Sequence, residues 1–157
     1  MLRQTIANMD LKQDMRIYTL GTGLRSKEEM VGILKHFQIE AFLDVRSYPK
    51  SKILIFNRDP LEKLLTELGI DYHFLGKVLG GFRKQGYEQY ATTESFSRGI
   101  DTVERIAGEK SSVIVCAETL PWKCHRRFIA VELQNRGWET VHIIEKDKLW
   151  RPKKNGK

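Results

Sequence analysis

The segment Ser112–Ile144 reads SVIVCAETLPWKCHRRFIAVELQNRGWETVHII, and it decides the fold class. Ser112–Cys116 is the most apolar strand-like run in the chain, as in a strand covered on both faces. His125–Arg136 reads as a helix that Gly137 ends, and Val141–Ile144 returns to strand. Strand, helix and strand in that order make a parallel crossover unit.

The same alternation extends toward the N-terminus. Arg16–Leu20 is a short strand that stops at Gly21-Thr22-Gly23. Ser26 caps a helix with Glu29 at capping-box spacing, and Met30, Ile33, Leu34 and Phe37 recur at helical intervals. Ala41–Val45 and Tyr72–Leu75 read as strands. Pro60–Leu68 is a helix with proline in its first turn and Gly69 after it. Phe96–Ala107 is a helix with Ile100, Val103 and Ile106 on one face. Five strands alternating with four helices predict one α/β domain over residues 15–150. Its expected form is a three-layer sandwich around a mainly parallel five-stranded sheet, Rossmann- or flavodoxin-like in its layering. Residues 1–14 read as a polar N-terminal extension and 151–157 as a basic tail. Right-handed crossovers leave few topologies, but strand order stays open at this point.

Composition narrows the function classes. The 157 residues are 41% hydrophobic and include three Trp, seven Phe and five Tyr, enough to build a core and to exclude general disorder. No run approaches the roughly 18–20 apolar residues of a membrane span, and no secretory signal opens the chain. Two cysteines without an export signal are expected to be reduced thiols in the cytoplasm. Lys and Arg number 27 against 20 Asp and Glu, a net charge of +7 that favours an anionic small molecule or nucleic acid as partner. No oligomeric state is assigned.

Ligands of parallel sheets gather at the carboxyl ends of the strands. The chemistry-bearing residues stand there in sequence. Cys116-Ala117-Glu118 follows one strand, and Cys124-His125-Arg126-Arg127 opens a helix. A thiol at a helix N-terminus feels unpaired N–H groups and the positive end of the dipole, so its pKa falls. Cys124 is therefore the candidate nucleophile and His125 its assistant, while Cys116 reads as a small core residue. Cys116, Glu118, Cys124 and His125 have zinc-ligand chemistry, but their spacing is not that of a common zinc site, and no metal is assigned. Asp44 and Arg46, two apart, lie on one side of an extended chain and suit acid/base work and anion binding. Ser47–Lys52 follows as a turn-rich segment with hydroxyls and cations. Gly21-Thr22-Gly23 allows close backbone approach but is not a complete dinucleotide fingerprint, since position 26 is Ser. No cofactor motif is recognised. Residues 76–93 form a long connection suited to a lid or binding loop, where Phe82, Tyr87 and Tyr90 either stack a base or anchor the loop, and Arg83 and Lys84 meet phosphate.

Taken in order, TLGTG (19–23), FLDVRSYPKS (42–51), FN (56–57), LGG with Arg83 (79–83), Tyr87–Tyr90, CAE (116–118) and CHRR (124–127) resemble the domain-of-unknown-function 488 family, over roughly residues 16–145. The family often carries Gly-His-Ser after its first strand. Gly21-Thr22-Gly23 stands there instead, so a histidine base at that place is absent. The resemblance implies that Asp44, Arg46, Ser51, Asn57, Arg83, Glu118, Cys124, His125 and Arg126 cluster, with Thr22 counted beside them. Rhodanese-like domains and cysteine phosphatases are weaker analogies for an anion-cradling helix start.

The expectation is an enzyme of hydrolase or transferase type acting on a phosphate-bearing nucleotide or nucleic acid. Cys124, Glu118, Asp44 and His125 would be catalytic; Arg46, Ser51, Asn57, Arg83, Arg126 and Thr22 would bind substrate. The alternative is a noncatalytic nucleic-acid-binding module, resting on the charge, the tail and the aromatic–basic loop. A thiol sensor built from Cys116 and Cys124 is a third possibility, provided that the sulfurs meet.

Overall fold

The computed structural model describes residues 15–152; the expected extension 1–14 and tail residues 153–157 lie outside the described residues. One six-stranded sheet runs in the order β3-β2-β4-β1-β5-β6. The strands are β1 (Arg16–Gly21), β2 (Ala41–Asp44), β3 (Asp71–Phe74), β4 (Ser112–Cys116), β5 (Glu139–Glu145) and β6 (Lys148–Trp150). β1 to β5 are parallel, and β6 returns antiparallel beside β5. The sixth strand departs from the five expected. It is short, and the Lys146-Asp147 turn before it lacks the glycine that marks hairpins in sequence.

The principal helices are α1 (Lys27–His36), α2 (Arg58–Glu67), α5 (Glu94–Ala107) and α6 (Arg126–Asn135); α3 (Gly76–Leu79) and α4 (Tyr87–Tyr90) are single turns. Ser26 and Glu29 form the expected capping box, each side chain bonding the other's backbone N–H at 3.0 Å. Along β4 the side chains alternate. Val113 and Val115 pack with α1 and α2 residues Met30, Ile33, Leu61 and Leu65. Ile114 and Cys116 pack with α5 and α6 residues Ile100, Val103, Ile129 and Leu133. Both faces of the sheet are thus covered, as an apolar parallel strand requires.

Strand order and layering agree through handedness. From β1 the chain moves toward β2 and then β3 in one direction, with α1 and α2 on one face. From β3 it moves back to β4 and on to β5, with α5 and α6 on the other face. Right-handed crossovers in opposite directions must cover opposite faces. β1 and β4 are therefore neighbours whose outgoing chains diverge, and a crevice opens above their carboxyl ends, where Gly21 pairs with Cys116.

Candidate active site

Beyond Cys116 the chain loops through Ala117–Leu120, makes a 3-10 turn at Pro121–Lys123, and reaches Cys124 and His125 before α6. Thr22 N–H donates to Cys116 O at 2.8 Å and Gly23 N–H to Ala117 O at 2.9 Å, so the ends of β1 and β4 are zipped together. Gly21 is required there: a Cβ would stand 2.0 Å from the Glu118 carbonyl oxygen. Thr22 is buried in this zipper and does not line the pocket.

Arg126 shares a helical stripe with Ile129, Ala130 and Leu133, so it points inward and is fully buried, whereas Arg127 faces solvent. Its guanidinium donates to Cys116 Sγ at 2.6 Å, to Thr119 O at 2.9 Å, to Thr19 Oγ1 at 3.1 Å, and to Glu118 O. No carboxylate pairs with it among the described residues. Thr19 accepts from Arg126, so its hydroxyl proton is free for His142 Nδ1. Burial, reinforced by the charge of Arg126, pushes the His142 pKa down to about 3. The neutral ring fits this hydrogen-bond direction.

A buried guanidinium without a carboxylate needs another anion nearby. The sulfurs supply it. The Cys124 pKa is drawn down to about 4 by a hydrogen bond from the Cys116 thiol, then by contact with His125 and the charges of His125 and Arg126. Cys116 moves the opposite way, chiefly through burial and its bond to Cys124. The two thiols thus move apart in acidity, Cys124 toward the anion and Cys116 toward the neutral thiol. The Arg126 backbone N–H at 3.4 Å and His125 Nδ1 at 3.6 Å face Cys124 Sγ. His125 Nε2 lies 3.1 Å from Val45 O, a group that only accepts, so Nε2 carries a proton; Nδ1 faces the sulfur and donates to it in the imidazolium form. Gly81 packs against that ring, where a Cβ would come within 2.8 Å of Nδ1.

These groups border an open pocket of about 360 Å³ lined by Arg46, Ser47, Tyr48, Gly81, Phe82, Cys116, Ala117, Glu118, Lys123, Cys124 and His125. Of the residues singled out in sequence, Cys124, His125, Glu118 and Arg46 meet there. The others have different work. Asp44 is fully buried and gives both oxygens to Arg46, at 2.9 and 2.8 Å, and one also to Tyr72 Oη at 2.7 Å; it does not line the pocket. Arg46 turns its remaining nitrogen to Phe56 O at 2.7 Å, so each of its three nitrogens is tied to the protein where it walls the pocket. Ser51 and Asn57 tie their own loop together. Arg83 bonds Gly80 O and Lys77 O and lies 3.8 Å over the Tyr90 ring. Arg126 is enclosed behind the sulfurs rather than open to a ligand. Tyr87 and Tyr90 anchor the 76–93 connection through bonds to Leu79 O and Val78 O, while Phe82 stays exposed.

Sequence reasoning missed Lys123, the cation on the pocket wall, although it directly precedes Cys124. It also missed Thr19 and His142, which orient Arg126 across the sheet. Among the described residues, no group of three His, Cys, Asp or Glu is arranged to hold a metal ion.

A family model described as "Domain of unknown function DUF488" matches residues 26–133. The chain belongs to this family. The DUF488 match includes both cysteines, His125, Glu118, Arg126 and the Asp44–Arg46 pair; Thr22 and the supporting Thr19 and His142 lie outside it. No curated protein and no solved structure matches the chain.

Proposed function

We propose that this DUF488 protein is an enzyme that uses Cys124 as a nucleophile against a phosphate-bearing substrate with a planar ring, of the nucleotide class. The observation that carries the reading is the Cys124 sulfur on the pocket wall, with His125 Nδ1 at 3.6 Å and the α6 N-terminus behind it. A thiolate held this way is ionised at neutral pH and needs no further base to attack. The Sγ electron pair forms the bond to the electrophilic atom as that atom's bond to the leaving group breaks; the imidazolium form of His125 gives the leaving group the Nδ1 proton, and Glu118 serves as base in the second step. Water or a second substrate then displaces the sulfur. Lys123 and the positive helix end offset the charge of an anionic substrate.

Support for the planar ring comes from Tyr48 and Phe82. They are 68% and 76% exposed, their ring centroids are 5.6 Å apart, and Ser47 Oγ fixes their two loops by accepting from Phe82 N–H. Exposed aromatics on tethered loops suit base stacking. The same rings favour the second reading, a noncatalytic nucleic-acid-binding module, which requires no reactive thiol.

The test is alkylation of Cys124 by iodoacetamide, mapped by peptide mass spectrometry, with and without nucleoside monophosphates. Slowed modification in the presence of a nucleotide, relieved by Lys123→Ala and by Phe82→Ala, is expected. Modification unchanged by every nucleotide overturns the substrate class. Cys124 reacting no faster at pH 6 than an unfolded thiol, while nucleotides still bind, transfers support to the noncatalytic module.

A further inference from the structure

Cys116 and Cys124 open onto the same pocket, and one arginine addresses both. Arg126 Nη1 donates to Cys116 Sγ at 2.6 Å, and its backbone N–H reaches Cys124 Sγ at 3.4 Å. Attack on a ligand by Cys124 explains one sulfur. It leaves unexplained why a second thiol, at the carboxyl end of β4, lines the same pocket and contacts the same arginine. We propose that Cys116 and Cys124 form a dithiol centre that undergoes thiol–disulfide exchange with small anionic disulfides, Cys124 attacking and Cys116 resolving. This rests on Cys124 being the nucleophile of the proposed function.

The charge arrangement gives the order of events. Cys124 is the more exposed residue of the two, at 9% against 2% for Cys116, and the more acidic thiol, so it attacks first. Cys124 thiolate attacks one sulfur of R–S–S–R; a Cys124–S–S–R bond forms and R–S⁻ leaves. Capping Cys124 removes the anion that raised the proton affinity of Cys116. The guanidinium remains against Cys116 Sγ, held by Thr19, Glu118 O and Thr119 O. It now stabilises the Cys116 thiolate instead. Cys116 gives up its proton to the departing thiolate and attacks Cys124 Sγ. The Cys116–Cys124 bond forms, and the second R–SH is released. The protein loses two electrons and the one proton of Cys116, and the disulfide substrate leaves as one R–S⁻ and one R–SH. Arg126 thereby serves each sulfur in turn without moving, which accounts for a buried arginine that no carboxylate pairs among the described residues.

Lys123 on the pocket wall and the α6 dipole favour an anionic disulfide over a neutral one. Oxidised glutathione is the probe. Reduced protein is incubated with it, quenched in acid and mapped by nonreducing peptide mass spectrometry, with released glutathione measured in parallel. The expected product is a Cys116–Cys124 bridge with both glutathiones released, while Cys116→Ser halts at glutathionylated Cys124. Wild-type protein that accumulates stable glutathionylated Cys124 with no internal bridge overturns the resolving role of Cys116 and leaves the nucleophile intact. Failure of Cys124 to react with either oxidised glutathione or iodoacetamide overturns the nucleophile, and the dithiol centre with it.

Discussion

His142 offers the sharpest test of the buried network behind the sulfurs. In the folded protein its pKa is lowered from 6.5 to about 3 by burial and by Arg126. Between those values the unfolded chain binds a proton that the folded chain refuses. Stability therefore falls as pH drops below about 6.5, at about 1.4 kcal/mol per pH unit. From pH 6.5 to 4.5 the loss from this one group is about 2.3 kcal/mol, and about 4 kcal/mol down to pH 3, because the slope is halved at each end of the interval. His142→Asn keeps an acceptor for the Thr19 hydroxyl but cannot titrate. Guanidinium denaturation of both proteins at pH 6.5 and 4.5 isolates the difference, since the titrating thiols are common to both. The wild type should lose about 2 to 3 kcal/mol more than the variant over that interval. Parallel losses in the two proteins would refute a neutral, buried His142 and the hydrogen-bond direction from Arg126 through Thr19.

Three further outcomes follow from the packing. Asp44→Asn leaves the Arg46 guanidinium buried without its anion and should destabilise by about 3–5 kcal/mol in denaturant titration, yet leave Cys124 reactivity in the folded fraction unchanged. Gly81→Ala pushes a methyl into the His125 ring and should raise the midpoint of the Cys124 alkylation profile by about one pH unit with little change in melting temperature. Gly21→Ala drives Cβ into the Glu118 carbonyl and should cost about 1–3 kcal/mol or more, read as a lowered melting temperature.

Local signals were legible where a few neighbouring residues determine the outcome. The Ser26–Glu29 cap, the apolar run of β4 and the alternation of strand and helix all behave as their sequence implies. Cys124 just before a helix was legible for the same reason. Strand order was not, because the insertion of β4 between β1 and β2 is set by contacts distant in sequence, and only handedness ties it to the layering. Asp44 and Arg46 do lie on one side of the chain as their spacing requires, but that side faces the interior, so they satisfy each other rather than a ligand. The inward turn of Arg126 was readable in principle. Its spacing to Ile129, Ala130 and Leu133 marks a core-facing stripe, and a cation on such a stripe is enclosed. Arg83, by contrast, is captured by carbonyls of its own loop, for which the sequence carries no periodic signal.

The claim on which the rest depends is that Cys124 is ionised at neutral pH. The direct measurement is the rate of iodoacetamide alkylation at Cys124 from pH 4 to 9, mapped by mass spectrometry in the folded protein. A low-pKa thiolate is intrinsically less nucleophilic, so the shape of the profile decides rather than its height. The expected curve rises around pH 4 and is level from about pH 5 upward. A rate that climbs about tenfold per unit until roughly pH 8.5, as for a free thiol, contradicts it.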